Sequence, residues 1–366
     1  MLLTALSIVM LIAPAVFSLV IHMCLRHGEV ERKRSIILFF VYLAVINILT
    51  FGISWLRGVK GLDFTNMTIS YRLKYMALGF TLGLIMPFVV CLLTEDIITI
   101  GGFVRYFKRF FNDMKKYMPY ALWSAKADLQ AEVATSYLNW MWWLIEPVCM
   151  MFIYTMIFGV VFKASEDYFP IFVFVGLTMW SFFSRSLSAS VDIVRFNKDI
   201  ITKIYMPKYI LLLSKMFTYF FKMMVSFGVI FLMMIAFRVP INFNILWIFP
   251  VFVLLFLFTF GISSIMMHYG VYVSDLGYIT GIVLQMMMYL TGVFYSLSNQ
   301  VPEPFGVILE LFNPVAFIIS AMREALLYRT MPMLSAMAVW TFVSVVMMAL
   351  GIFTIYSNEN AYVKMI

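Results

Sequence analysis

Residues 136–159 read SYLNWMWWLIEPVCMMFIYTMIFG, an aromatic-rich apolar run that directly follows a short helix-forming stretch of mixed charge, Trp123 to Ala134. A run of this length meets the need of an α-helix for roughly 20 residues to cross a hydrocarbon core of about 30 Å. The junction therefore predicts a membrane span joined without a break to a cytoplasmic surface.

The rest of the 366-residue chain has the same apolar character. Hydrophobic residues make up 64% of it, charged residues 12%, and the mean hydropathy is +0.97. This composition leaves too little polar surface to cover a soluble globule. The apolar runs are also too long for the short alternating segments of a membrane β-barrel. We predict an all-α polytopic membrane protein.

Nine apolar segments are long enough to be predicted transmembrane helices. They are Leu2 to Leu25, Ile36 to Trp55, Lys74 to Leu93, Leu138 to Phe162, Phe169 to Ser190, Leu211 to Phe237, Ile245 to His268, Tyr278 to Tyr295 and Met333 to Tyr356. They suggest a three-span module over residues 1–98 and a six-span domain over residues 120–366, joined by an interfacial stretch over residues 99–119.

Basic residues orient the chain through the positive-inside rule. The segment from Phe103 to Ala134 and the loop from Val191 to Ile210 are basic, the latter with four cations against two carboxylates, net +2. The loop from Leu297 to Pro332 has two cations against three carboxylates, net −1, and is placed outside. The N-terminus is then outside and the C-terminus cytoplasmic. The basic loop between the second and third spans argues against this orientation for the first three helices.

The interfacial stretch has helical periodicity. From Phe103 to Met118, aromatic residues and methionines alternate with a basic set, which predicts an amphipathic helix on the inner leaflet. Its role is open between a simple linker and a lipid sensor. Pro119 is expected to end it. A second interface helix follows, and its mixed charge favours docking to a protein through Lys126, Asp128, Leu129 and Glu132.

No metal or nucleotide site is predicted in this chain. Cys24, Cys91 and Cys149 lack CxxC spacing and are interpreted as packing residues. The three histidines are isolated from other metal-binding side chains. There is no G-x-x-x-x-G-K-[ST] loop and no cytoplasmic segment large enough for an ATPase domain, so any use of ATP requires a partner.

Five blocks in a fixed order resemble the permease subunit of the type 2 ABC exporters that move O-antigen, capsular polysaccharide or teichoic acid. The resemblance covers roughly Trp123 to Ile366. The blocks are YLNWMWWLIEPVCMMFIYTMIFG (137–159), FVFVGLTMWSFFSRSL (172–187), NKDIITKIYMPKYIL (197–211), LQMMMYLTGVFYS (284–296) and NPVAFIISAMREALL (313–327).

The resemblance implies a homodimer of six-span permeases in a bacterial cytoplasmic membrane. Two separate ATPase subunits would bind ATP and Mg, and the cargo would be a polyprenyl-pyrophosphate-linked glycan. It also implies external re-entrant helices between Ser296 and Pro332. A coupling helix in the ATPase cleft is implied at Phe196, Asn197, Lys198, Asp199, Ile200, Ile201 and Lys203.

Two positions depart from the family pattern. Ser274 and Asp275 replace an Arg-Asp pair, and Gly292 replaces a proline, which retains a helix breaker. The N-terminal module has no counterpart in the minimal family pattern.

The side chains also suggest where a cargo passes. Sugars stack their C–H faces on aromatic rings, so aromatic residues are one set of candidates. Burying a charge in lipid costs about 2.5 to 3.5 kcal/mol, so ionisable residues within the spans are the other set. The cationic candidates are Arg185 and Lys222, which could contact a lipid pyrophosphate or instead partner each other or Glu146. The aromatic candidates are Tyr137, Trp140, Trp143, Tyr154, Tyr289, Phe294 and Tyr295.

Three other functions are weighed. The same architecture could export a small drug or lipid. A membrane-embedded glycosyl or acyl transferase needs a catalytic constellation, and His268 with Asp275 is the nearest approach to one. An ion-driven carrier would show paired intramembrane acids or an inverted repeat, and neither is visible in the sequence.

Overall fold

A computed structural model describes residues 12, 14–16, 18, 19, 38–48, 99–134, 137–162, 166–240, 242–301, 306, 309, 310, 313–359, 362 and 365. Its helices are α1 (Leu38–Ile48), α2 (Thr99–Val133), α3 (Trp142–Tyr154), α4 (Phe169–Phe196), α5 (Lys198–Lys203), α6 (Tyr209–Ala236), α7 (Ile248–Tyr272), α8 (Leu276–Leu290), α9 (Leu297–Gln300), α10 (Pro314–Arg323) and α11 (Leu334–Ser357). Short 3-10 turns at Asn139–Met141 and Phe243–Trp247 precede α3 and α7, and π-helical turns at Thr155–Val161 and Glu324–Tyr328 extend α3 and α10.

The all-α membrane fold predicted from the composition is confirmed. No strand occurs among the described residues. Within them, five helices are long and apolar enough to cross a membrane: Asn139–Val161, Phe169–Phe196, Tyr209–Ala236, Phe243–Tyr272 and Leu334–Ser357. They coincide with five of the nine predicted spans. The third predicted span, Lys74 to Leu93, lies outside the described residues, and the first two are described only in part.

The eighth predicted span is shorter than expected. Helix α8 ends at Leu290 instead of Tyr295, so its 15 residues extend about 22 Å at 1.5 Å per residue. The chain turns at Gly292, whose φ of +68° lies in the left-handed region that glycine adopts without steric cost. The Gly that replaces the proline of the family pattern thus ends this helix.

The predicted break at Pro119 does not occur. Helix α2 runs without interruption from Thr99 to Val133 and includes the proline, so the boundary predicted after residue 119 falls inside one helix. A proline removes the hydrogen bond to the carbonyl four residues earlier, here that of Lys115. Lys115 and Pro119 both lie on the exposed side of α2, where this carbonyl need not be buried without a partner.

The chain divides into two compact units, Met1–Arg105 and Tyr106–Ile366. In the first unit, the buried side chains of Ala15, Tyr42 and Ile46 pack together, with Leu38 and Leu43 of α1 around them. The first two predicted spans therefore contact each other through an apolar core.

The second unit is built around α4. Of the apolar stretch of α4, 72% is buried inside the protein, compared with 6% for the span that contains α3. Helices α6, α7 and α10 pack on α4, and α11 packs along α7. Helices α3 and α8 also contact α4 but leave most of their own surfaces exposed.

Glycines allow the closest helix approaches in this core. A Cβ added to Gly270 of α7 would lie 2.0 Å from the Val191 carbonyl oxygen of α4. A Cβ added to Gly261 would lie 2.7 Å from the backbone nitrogen of Met348 in α11. Backbones that pack this closely gain the van der Waals contact that holds helices together in lipid.

We expect the substitution Gly270→Ala to separate α4 from α7, because its methyl group would meet a backbone atom. Overpacking of this kind costs about 1–3 kcal/mol. The control is Gly228→Ala in α6, where a Cβ meets no atom within 4 Å. Thermal unfolding of the two detergent-purified variants checks this expectation, and equal midpoints would show that the α4–α7 contact adapts freely.

Candidate functional site

The turn between α4 and α6 presents a short helix at the surface. Asn197 ends α4 and begins α5, and its amide side chain donates to the Ile193 carbonyl at 2.7 Å. Only Ile201 of α5 is buried, whereas Lys198, Asp199 and Lys203 are exposed. All the residues predicted for coupling thus belong to one compact element, which we call the coupling segment (residues 196–203).

Apolar side chains on both sides of α5 are also exposed. Phe196 exposes 85% of its surface, and Ile204 and Tyr205 are exposed as well. Exposed apolar groups next to lysines are typical of a surface that binds another protein. The chain is then buried again at Met206, Pro207 and Lys208, where α6 begins.

Arg109 of α2 connects three distant parts of the chain beside the coupling segment. Its guanidinium donates to Glu359, after α11, at 2.9 Å, and to the hydroxyl of Tyr205. It also lies 4.4 Å from the ring centre of Tyr356. Lys208 approaches the same Glu359 carboxylate at 3.6 Å. We call these five residues the Arg109 cluster.

The electrostatics of the Arg109 cluster keep its arginine charged. Partial burial alone would lower the pKa of Arg109, but the Glu359 carboxylate and the hydroxyls of Tyr205 and Tyr356 outweigh burial and raise the pKa above its ordinary value. The connection from α2 to the end of the coupling turn is therefore charged at every physiological pH.

A cavity of about 350 Å³ lies among α3, α4, α6 and α8. Eight of its 17 lining residues are aromatic residues or methionines, and residues of α4 and α6 with hydroxyl groups also line it. The hydroxyl of Thr178 has no hydrogen-bond partner in the structure. The other polar lining residues are Glu146, Ser181, Ser184, Arg185, Tyr219, Lys222 and Ser226.

The cations of this region form ion pairs within the subunit. Arg185 contacts Glu146 at 2.5 Å, and Lys215 contacts Asp128 at 2.8 Å. Lys222 pairs with Glu132. Sequence reasoning considered Glu146 as a partner for Arg185, and this pairing is confirmed. It did not find the partners of the two lysines, because they lie on α2, about 90 residues away along the chain.

These pairs change the interpretation of the second interface helix. Asp128 and Glu132 were expected to present charge to a protein partner, but they face Lys215 and Lys222 of the same chain. Of the four predicted docking residues, Lys126 is exposed and Leu129 is half-buried. The acidic side of α2 therefore fixes this helix to α6.

The structure separates the predicted path residues into three groups. Trp143, Tyr154, Arg185 and Lys222 line the cavity. Tyr137, Trp140 and Tyr289 are exposed. Phe294 is buried, with its ring 4.3 Å from that of Tyr154 and 4.8 Å from that of Phe158, so it is a packing residue in this structure. Tyr295 is half-buried and donates to the Tyr289 carbonyl at 2.6 Å.

Arg323 is a central residue that sequence reasoning missed. It is buried at 3% exposure, and its guanidinium donates to the carbonyl groups of Phe172, Gly292 and Val293 at 2.7 to 3.2 Å. The Cζ atom of this guanidinium also lies 3.4 Å from the centre of the Phe172 ring. Gly176 gives it room, since a Cβ there would lie 2.5 Å from the guanidinium. Sequence reasoning considered Arg323 only as one of the two cations in the loop from Leu297 to Pro332.

The isolated histidine and cysteine can also be placed. His268 is buried, and its Nδ1 lies 2.8 Å from the Tyr362 hydroxyl, so it has a structural partner. Among the described residues, no three metal-binding side chains come together. Cys149 is exposed and not packed as predicted, and Cys24 and Cys91 lie outside the described residues.

The family model described as ABC-2 type transporter matches residues 122–327, from within α2 to the π-helical turn after α10. The O-antigen export system permease protein RfbA of Myxococcus xanthus is 25% identical over 241 residues, which cover 66% of this chain and 92% of that protein. Proteins of the same name from Klebsiella pneumoniae are 27% and 25% identical and cover 54% and 56% of this chain, and 76% and 78% of their own lengths.

We expect charge reversal at Lys222 to loosen α2 from α6. In the variant Lys222→Glu, two carboxylates would face each other at a site where the lysine side chain is only 18% exposed. Because the Glu132 side chain is 44% exposed, we expect the free energy of unfolding to fall by about 1–2 kcal/mol, between the values for exposed and buried ion pairs. Thermal unfolding in detergent provides the measurement.

The double variant Lys222→Glu with Glu132→Lys should recover most of this loss, since it restores the pair with reversed polarity. Lys126→Glu, an exposed lysine on the other side of α2, is the matched control and should leave the midpoint unchanged. A double variant no more stable than Lys222→Glu alone would contradict the assigned pairing.

Proposed function

Since the chain belongs to the ABC-2 type transporter family, we propose that it is the permease subunit of an exporter for a lipid-linked cell-surface polysaccharide. The observation that carries this proposal is the extended similarity to permeases named for O-antigen export. The family match over residues 122–327 includes the coupling segment and the cavity. We infer a polyprenyl-pyrophosphate carrier lipid and a glycan of the O-antigen, capsule or teichoic acid type.

ATP hydrolysis is assigned to a separate partner subunit that binds ATP and Mg. Phe196 at the end of α4 exposes an apolar group, and Lys198 and Lys203 expose basic groups on α5, between two spans of 28 residues each. Such an element can enter a cleft of a soluble ATPase and transmit its closure into α4 and α6. We propose that residues 196–203 make this contact.

We propose a homodimer with two ATPases. Helices α3 and α8 expose apolar side chains over most of their length and flank the buried α4. A second copy that covers them would enclose a path between the subunits. The exposed Tyr137, Trp140 and Tyr289 would then offer weak, repeated stacking contacts to a passing glycan.

The cavity is proposed as the place where the phosphate-bearing end of the carrier lipid enters. Arg185 and Lys222 supply positive charge on two neighbouring helices, and each is paired with a carboxylate, Glu146 and Glu132 respectively. A phosphate group could replace Glu146 at the guanidinium of Arg185, which is 44% exposed. The aromatic and methionine side chains would contact the first apolar units of the lipid.

The proposed cycle follows from these contacts. ATP binding closes the two ATPases and pushes the coupling segments and α2. The displacement separates α3 and α8 at the dimer interface, and the glycan enters and passes outward. Helix α10, buried within the protein, and the turn at Gly292 would then form the external end of the path.

Purification from native cells in mild detergent tests this function. We expect an equimolar ATPase with a Walker motif to accompany the chain. Lys198→Glu with Lys203→Glu should release this ATPase, whereas Lys198→Arg with Lys203→Arg should retain it, because only the first pair of substitutions reverses the charge. Mass spectrometry of the purified material gives identity and stoichiometry. A chain that is active in transport without any ATPase would rule the proposal out.

A further inference from the structure

Helix α2 has an exposed face that combines lysines with large apolar side chains. Phe111, Leu122 and Trp123 expose 55%, 53% and 68% of their surfaces. The exposed lysines on the same face are Lys108, Lys115, Lys116 and Lys126. Successive members of this set are one, three, four or six positions apart, and at 3.6 residues per turn all seven fall within an arc of about 140° on one side of the helix. We call them the basic face of α2.

The opposite face of α2 is used for packing. Phe110, Ala121 and Ala125 are buried against the rest of the subunit. The hydroxyl of Thr218, in α6, donates to the Ala125 carbonyl at 3.4 Å. Helix α2 is therefore fixed along the part of α6 that follows the coupling turn, with its basic face on the side of the helix opposite α6.

The charge of the basic face is of one sign. From Tyr106 to Lys126 the sequence contains a single carboxylate, Asp113, and this group accepts a hydrogen bond from Tyr356 at 2.8 Å on the packed side. Four lysines thus face outward without an acidic residue among them. Each lysine near an anionic membrane surface contributes about 1 kcal/mol of attraction. An exposed Phe, Leu and Trp on the same face suit the boundary between headgroups and acyl chains.

The same helix holds the residues next to the coupling segment. Arg109, one residue after Lys108, donates to Tyr205 and to Glu359. The Tyr209 hydroxyl lies 3.5 Å from the Phe110 carbonyl. Any displacement of α2 therefore acts on residues 205–209, which follow α5. Most of the basic face lies before residue 122, where the family match begins.

We propose that the basic face of α2 docks on the anionic lipid surface of the inner leaflet, and that this docking holds the coupling segment in place through the Arg109 cluster. The lipid contact stands on the structure of α2. The effect on the coupling segment as an ATPase contact rests on the proposed function.

The test uses the full chain reconstituted in vesicles without any partner. A nitroxide is attached at Phe111→Cys after replacement of Cys24, Cys91 and Cys149 by serine. With about 30% phosphatidylglycerol in phosphatidylcholine, we expect a severalfold higher ratio of oxygen to nickel-complex accessibility than in phosphatidylcholine alone. High salt should reduce this difference.

Matched lysine variants identify the cause. Substitution of all four lysines of the basic face by glutamine should abolish the difference between the two vesicle types. Substitution of the same four by arginine should retain it, because the charge is unchanged. Equal accessibility ratios in both vesicle types for the parent chain would overturn the proposal. The proposal would also be overturned if the accessibility of the label changed only after a purified ATPase was added and the label was then shielded from both oxygen and the nickel complex. This result would identify a protein-docking face.

A second label tests the connection to the coupling segment. A nitroxide at Thr202→Cys should be less mobile in anionic vesicles, and Arg109→Gln should remove this response while the lipid response at residue 111 persists. A response at residue 202 that is unchanged in Arg109→Gln would contradict the role of the Arg109 cluster. Neither label requires transport or ATP, so failure here is distinguishable from failure of the exporter assignment.

Discussion

The guanidinium of Arg323 satisfies the constraint on which the packing of α4, α8 and α10 depends. A helix that ends within a membrane protein leaves carbonyl groups without partners, and no lipid can supply donors to them. Helix α8 ends in this way after 15 residues, and Arg323 donates to the next carbonyls, those of Gly292 and Val293. The same side chain bonds to α4 at Phe172, so one buried cation fixes α4, the end of α8 and α10 relative to each other. Asn313 adds a second connection, because it caps α10 and donates to Thr291 at 2.8 Å.

The sequence predicts the spans well and the contacts poorly, for a physical reason. The length and polarity of a span are set by the lipid, so runs such as Leu211 to Phe237 can be identified without knowledge of their neighbours. The partner of a buried charge depends on helix packing, and thus Lys222 could not be assigned to Glu132 across 90 residues. Pro119 and Gly292 show the same contrast. Both residues disfavour a helix, but only Gly292 lies where the helix ends. There the chain turns within the buried part of the protein.

The packing divides the second unit into a firm part and a loosely held part. Helices α4, α7 and α11 approach each other through glycines whose replacement would force backbones apart. Helices α3 and α8 lie at the side of α4 with few buried side chains of their own. A change of shape at low energetic cost would therefore displace α3 and the start of α8 against α4, while the hydrogen bonds of Arg323 hold the end of α8 and the glycine contacts stay intact. The ion pairs of Lys215 and Lys222 keep α2 with α6 during such a change.

The Arg109 cluster also has a consequence for biosynthesis. Arg109 and Glu359 are separated by 250 residues, and Tyr356 and Glu359 belong to the last described helix and the turn after it. At about 5–20 residues per second, a ribosome needs roughly 12–50 s to make the intervening chain. During this time α2 has neither Glu359 for its arginine nor the Tyr356 ring for its packed side. The Arg109 end of α2 therefore lacks these two partners throughout this interval, and insertion factors or membrane proteases that act on unfinished chains can engage it during that time.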